Sequence, residues 1–161
     1  MNLPDPTPME EALTLAREAA HHGDIPVGCV IVRDGQVIGR GSNRRELLGD
    51  ATAHAELEAI RAACRAAGSW RLSGCTLYVT LEPCPMCAGA ILNARIDAVV
   101  YGAPNPKAGC CGSVLPLFHE KFNHHPAVYG GVLEAECARI LGDFFRPTSD
   151  KSARETQSSP V

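Results

Sequence analysis

Two short fragments of this 161-residue chain carry side chains that could hold a metal ion and move a proton. The first is Thr52-Ala53-His54-Ala55-Glu56, and the second is Glu82-Pro83-Cys84-Pro85-Met86-Cys87. One supplies an imidazole and the other a pair of thiols at knuckle spacing. Three protein ligands and one open position make the arrangement of a catalytic zinc, whereas structural zinc sites close with four ligands. Zinc lowers the pKa of a bound water from 15.7 toward roughly 7, so that a nucleophile exists at neutral pH. A carboxylate beside the metal must then take the water's proton and deliver it to the departing group. The expected chemistry is metal-assisted hydrolysis, with one zinc ion per subunit held by His54, Cys84 and Cys87.

Other chemistries suit parts of this set. A Cys-x-x-Cys pair at a helix start also serves thioredoxin-like redox exchange. A structural knuckle would result if His119, His124 or His125 supplied a fourth ligand. Spacing alone does not choose Glu56 over Glu58 as the proton carrier. The pattern as a whole does choose, because His-x-Glu followed by Pro-Cys-x-x-Cys is a described signature of zinc-dependent nucleobase deaminases.

Local signals indicate which elements position these fragments. Thr7-Pro8-Met9-Glu10 reads as a capping box, with apolar residues at helical spacing from Met9 to Ala20 and Gly23 as the stop. Val27–Val32 and Gln36–Gly41 are strand-like and joined by Asp34-Gly35, a strong hairpin turn. Asn43–Ala51 reads as a loop. A helix follows from about Ala53 to Ala67, with Thr52 as the expected N-cap and Ala53, Leu57, Ile60, Cys64 and Ala67 as its apolar face. Thr76–Leu81 is a buried strand by composition. Pro85–Arg95 is a helix, Ala98–Gly102 a strand and Val114–Phe118 a short helix, before a strand at Ala127–Val132 and a helix at Glu134–Phe145. Both chemical fragments thus open helices, whose N-terminal dipoles favour thiolate and hydroxide. The order β-β-α-β-α-β-α-β-α after the first helix implies an α/β fold, a three-layer α/β/α arrangement around a mixed sheet. Residues 1–146 are expected to form one deaminase domain and 147–161 a disordered polar tail.

Bulk properties narrow the partners. A formal charge of −3 argues against a uniformly basic nucleic-acid binder and confines any RNA contact to a local patch. The N-terminus lacks the features of a secretory signal and no long apolar run is present, so a cytoplasmic location away from membranes is expected. In that compartment the eight cysteines are not a disulfide framework, and the adjacent Cys110 and Cys111 read as packing residues.

Beyond the metal motif, the chain resembles the bacterial tRNA-specific adenosine deaminases of the cytidine deaminase superfamily over about residues 9–146. The resemblance rests on Ile25-Pro26-Val27-Gly28, Gly41-Ser42-Asn43, Thr80-Leu81-Glu82-Pro83-Cys84, Pro106-Lys107-Ala108-Gly109, Phe122-Asn123-His124 and Asp143-Phe144-Phe145-Arg146. It implies a cytidine-deaminase-like fold with five strands, a homodimer, and a tRNA anticodon stem-loop as substrate. The implied reaction converts the wobble adenosine to inosine by attack at C6, with Glu56 as the proton shuttle. Asn43 would hydrogen-bond the purine, Val27 would pack on its ring, and backbone N–H groups near Ala55 and Cys84 would face the site. Lys107, Lys121 and Arg146 would form a basic rim, while Phe144 and Phe145 suit core packing better than base stacking. One position departs: many members of that family have an aspartate where this chain has Asn105. An amide can donate as well as accept, which puts the family's RNA-over-DNA discrimination in question there. Two rival functions share the metal motif, namely deamination of free guanine, cytosine or deoxycytidylate, and zinc-dependent association without catalysis.

Overall fold

The computed structural model describes residues 3–146. Helix α1 (Thr7–His21) precedes a hairpin of β1 (Gly28–Arg33) and β2 (Gln36–Ser42). A short helix α2 (Arg45–Leu48), helix α3 (Ala55–Ala67), strand β3 (Cys75–Leu81), helix α4 (Pro85–Ala94) and strand β4 (Ala98–Ala103) follow. A single 3-10 turn (Leu117–His119), strand β5 (Ala127–Tyr129) and helix α5 (Glu134–Phe145) complete the described chain. The expected polar tail lies outside the described residues.

The strands form one sheet in the order β2-β1-β3-β4-β5. β1 runs antiparallel to both β2 and β3, while β3, β4 and β5 run parallel, so the sheet is mixed. Asp34 and Gly35 both have positive φ, as the two-residue turn of a right-twisted hairpin demands. Val27, Cys29, Ile31, Leu77, Val79 and Val99 face α3 and α4 in one core; Val30, Tyr78 and Val100 face α1 and α5 in the other. Alternation along each strand thus sends successive side chains to opposite layers, giving the expected α/β/α sandwich.

Two helices lie unusually close to the sheet, and glycine makes this possible. A Cβ at Gly28 would fall 1.8 Å from the carbonyl oxygen of Ala12 in α1. Cβ atoms at Gly39 and Gly41 would fall 2.4 Å and 2.2 Å from the carbonyl oxygens of Ala59 and Ala55 in α3. The inward face of α3 is correspondingly small: Ala55, Ala59 and Ala63 are fully buried, while Leu57, Ile60, Cys64 and Ala67 are only partly so. The apolar face expected from the larger side chains is therefore rotated, because close approach selects alanine over bulk.

Both expected N-caps are also corrected. α1 begins at Thr7 with Pro6 as its cap, and the Thr7 N–H donates to Asp5 Oδ1 at 2.9 Å. Asp5 already offers an acceptor, so the helix starts one residue earlier than a Thr7 capping box requires. Thr52 does not cap α3, since its hydroxyl and N–H both donate to Asp50 Oδ1. His54 takes the cap position instead. The segment read as a loop contains α2, and β5 stops at Tyr129 before Gly130 and Gly131. All eight cysteines are free thiols.

Candidate active site

The sheet brings together chain segments far apart in sequence at one of its edges. The C-terminal ends of β2, β3 and β4 lie there beside the N-terminal end of antiparallel β1. Ligands bind beyond the carboxyl ends of parallel strands in open α/β sheets, and here the residues leaving those ends line a cavity of about 600 Å³. Ile25 and Val27 come from the approach to β1, Asn43 and Arg45 from the exit of β2, and Leu81 and Cys84 from the exit of β3. Pro104 to Ala108 leave β4, and Leu141 and Phe145 reach across from α5.

His54, Cys84 and Cys87 meet at this edge. His54 Nδ1 lies 3.6 Å from Cys84 Sγ and 3.5 Å from Cys87 Sγ, and the three ligand atoms are all within 4.8 Å of one another. A tetrahedral zinc with bonds of about 2.3 Å to sulfur and 2.0–2.1 Å to nitrogen separates those atoms by roughly 3.6 Å, so the donor set fits that ion in type and spacing. His54 and Cys84 are the N-cap residues of α3 and α4, and Cys87 lies within the first turn of α4. The helix N-termini set these positions, and their unpaired N–H groups add positive potential.

The protons in the cluster are distributed accordingly. Cys84 is lowered to about 4, first by the hydrogen bond from Cys87, against burial, and then by His54. Cys87 is pushed well above the ordinary thiol range by its bond to Cys84 and by burial. His54 is raised, chiefly through its contact with Cys84. A thiol shifted down beside an imidazole is the donor that most readily gives up its proton to a cation. No fourth ligand joins the set among the described residues. His124 Nε2 instead lies 2.7 Å from the carbonyl oxygen of Ile96, and His125 Nδ1 lies 2.8 Å from that of Phe118. Neither His124 nor His125 therefore turns toward the cluster, and His119 is not part of it.

Glu56 lines the cavity and is 4% exposed, and burial raises its carboxyl above the usual range. Glu58, its competitor on spacing, points outward to Arg44 and Arg61 at 4.0 Å and 3.7 Å. Helical geometry separates the two, because residues i and i+2 do not share a face.

The remaining expected residues divide. Val27, Asn43, Ala55, Asn105 and Lys107 all line the cavity. Asn43 is held by a bond from its Nδ2 to the carbonyl oxygen of Ile25 (3.1 Å), and its Oδ1 accepts the Arg45 N–H (3.2 Å). One amide hydrogen and one lone pair remain on that side chain. Asn105 Oδ1 turns into its own loop and accepts the N–H groups of Lys107 (3.3 Å) and Ala108 (3.2 Å). Lys121 is exposed away from the cavity lining, and Arg146 pairs with Asp143 at 2.9 Å. Phe144 and Phe145 meet edge-to-face, and Phe145 is 64% exposed at the cavity rim rather than in the core.

Sequence reasoning missed three contributors. Arg45 adds a cation to the rim and was hidden in a segment read as loop. Asp24 is fully buried and accepts the N–H groups of Glu46 (2.6 Å) and Leu47 (3.1 Å), so it closes the open end of α2. Glu82 is 1% exposed and accepts bonds from Asn105, Cys111 and Ser113. A carboxylate directly before Pro83-Cys84 was the available signal for Glu82; Asp24 offered none.

Comparison with known proteins agrees with this geometry. A family model described as MafB19-like deaminase matches residues 5–148. The chain is 48% identical over 153 residues to a tRNA-specific adenosine deaminase of Bacillus subtilis (strain 168), covering 93% of this chain and 95% of that protein. A solved structure from work on A-to-I editing by tRNA:A34 deaminases matches with a TM-score of 0.81 at 49% identity, covering 85% of this chain and 100% of the other. A guanine deaminase from Bacillus subtilis matches with a TM-score of 0.61 at 44% identity, over 72% of this chain and 74% of that one. Likeness of this extent, in sequence and in backbone, shows that the chain belongs to the MafB19-like deaminase family and, within it, to the tRNA-specific adenosine deaminases.

Proposed function

We propose that this chain converts adenosine to inosine at the wobble position of a tRNA anticodon by hydrolytic deamination at C6. The observation that carries the proposal is one cavity lined by His54 and Cys84 of the metal-binding cluster, by a buried Glu56, and by a rim bearing Arg45 and Lys107. Bound by His54, Cys84 and Cys87, one zinc ion per chain supplies the Lewis acidity that makes water a nucleophile at neutral pH. Glu56 carries one proton of the attacking water to the ring nitrogen N1, where inosine keeps it, and the second to the amino group that leaves as ammonia, a role suited to a carboxyl raised by burial. Val27 packs on the purine, and Asn43 offers its remaining hydrogen and lone pair to the ring edge. The backbone N–H groups of Ala55, the first residue of α3, and of Cys84, the N-cap of α4, face the charge that develops on the oxygen added at C6. Arg45 and Lys107 meet the phosphates, so an acidic protein presents cations at the rim where RNA enters. Phe145 offers a face on which a flanking base can stack.

An anticodon base is already outside a duplex, so its extrusion into the cavity is inexpensive. Residues 1–146 carry the activity, and the enzyme works as a cytoplasmic homodimer. No described helix is long and apolar enough to cross a membrane. The test is mass spectrometry of an anticodon stem-loop transcript incubated with the zinc-loaded protein. Inosine at the wobble position is expected. Turnover of free guanine or cytosine without wobble inosine would replace this reading with free-base deamination.

A further inference from the structure

Glu82 lies two residues before a metal ligand and is almost fully buried, yet it is not among the residues lining the cavity. Its carboxylate faces a different task. Oε1 accepts the N–H of Asn105 at 3.2 Å and the hydroxyl of Ser113, and Oε2 accepts the N–H groups of Cys111 at 2.9 Å and Ser113 at 3.1 Å. Four donors from one loop thus occupy both oxygens of one buried anion. A buried charge is tolerated only when it is satisfied in this way.

We propose that Glu82 is a positioning residue for the substrate. It holds the loop from residue 104 to residue 113 as a preformed cavity wall and so sets where Asn105 and Lys107 meet the nucleotide. The inference rests on the deaminase reading of that cavity. Donors at both ends of the loop converge on the carboxylate, which closes the segment as a clasp would. Within the clasp the loop keeps its own turn, with Gly109 N–H donating to the Asn105 carbonyl at 2.8 Å. Room for the carboxylate depends on Gly109, where a Cβ would fall 2.3 Å from Glu82 Oε2 and 2.4 Å from Cδ. The wall is also registered to the metal-binding turn. Cys110 N–H donates to the Pro83 carbonyl at 2.8 Å, and Glu82 N–H donates to the Ala103 carbonyl at 2.9 Å. The distance from substrate-contacting residues to the cluster is therefore set by these backbone bonds together with an acid side chain that touches neither substrate nor metal. An apolar residue of similar volume could fill this space but could not gather four donors.

Glu82→Gln tests this, because the amide keeps the shape but sets an NH₂ group against backbone donors. Gly109→Ala attacks the same contact from the loop side. Both zinc-loaded variants are expected to keep one zinc per chain and native exchange protection in α3 and α4. Amides of residues 105–113 should exchange at least about ten-fold faster in each. KM for the stem-loop should rise about ten-fold or more, with a smaller change in kcat. Adding Lys107→Ala to Glu82→Gln should have less effect than Lys107→Ala alone, since the wall is already displaced. Unchanged loop exchange would overturn the proposal. So would loss of zinc in proportion to activity at constant KM, which would make Glu82 a support of the metal turn only. If the wild-type chain forms no inosine, the substrate reading fails, while the exchange measurement still decides whether Glu82 holds the loop.

Discussion

Replacing Gly41 by alanine would put a methyl carbon 2.2 Å from the carbonyl oxygen of Ala55, 2.7 Å from the amide nitrogen of Ala59 and 2.8 Å from Glu58 Cβ. Ordinary contact begins near 3.4 Å. Two of the three obstacles are backbone atoms in the first turns of α3, so no side chain can swing aside. The N-terminus of α3 must therefore withdraw by roughly 1 Å, and overpacking of this kind costs about 1–3 kcal/mol of stability. Ala55 stands between His54 and Glu56, so the same withdrawal carries a metal ligand and the proton carrier with it. A 1 Å displacement of positioned groups lowers rates about 100-fold. Gly39→Ala is the control: its Cβ would meet Ala59 O at 2.4 Å and Ala63 Cβ at 2.8 Å, one turn farther from the chemistry. Both variants should lose similar stability in urea denaturation, but Gly41→Ala should lose far more kcat on the stem-loop when assayed well below its unfolding transition. Equal activity losses, or a destabilised Gly41→Ala with full turnover, would refute the idea that this packing places the catalytic groups.

Glu56→Gln should retain zinc and melting temperature while kcat falls by about 100- to 10,000-fold; near-wild-type single-turnover rates would remove its role. Cys87→Ala should lose the metal and melt lower, because binding energy of the ion is folding energy; one tightly held zinc per chain by elemental analysis would contradict the ligand assignment. Asp24→Ala removes the acceptor of the Glu46 and Leu47 amides in the exposed helix α2, at about 0.5–1.5 kcal/mol for each hydrogen bond. Calorimetry should show the loss and KM for the stem-loop should rise; unchanged KM would separate Asp24 from the site. Asn105→Asp keeps the acceptor that forms its turn but removes the amide hydrogens. It should leave stem-loop turnover intact and lower turnover of the matching deoxy-oligonucleotide, and equal activity on the deoxy form would reject that account.

What could be read from the sequence followed from local physics. The hairpin at Asp34-Gly35, the start of α4 at Pro85 and the two fragments that carry His54, Cys84 and Cys87 rest on turn preferences, helix termini and ligand chemistry, each read within a few residues. What escaped depended on contacts distant in sequence. Asp24 meets α2 across 22 residues and Glu82 meets Ser113 across 31. The buried face of α3 was misjudged because the glycines that draw it close lie on β2. Thr7 and Thr52 failed as caps for a local reason: Asp5 and Asp50, each two residues earlier, accept the threonines' own N–H groups, and Asp50 the Thr52 hydroxyl as well. Phe145 could not be assigned to rim or core without the direction in which α5 ends.

Helix α5 has one fully buried residue, the thiol-bearing Cys137, yet its last turns provide Leu141 and Phe145 to the cavity from the opposite layer of the sheet. The cluster and Glu56 belong instead to α3 and α4, and α3 is anchored by alanine against glycine at near-contact distance. The cavity thus joins a tightly packed part that carries the cluster to a stretch of rim on a helix with one fully buried residue. Mutations that end in α3 break the catalyst, whereas the outer helix can drift in sequence and reshape the cavity rim while the chemistry continues. A library confined to residues 138–146 varies the part of the rim formed by Leu141 and Phe145 without touching the metal-binding cluster.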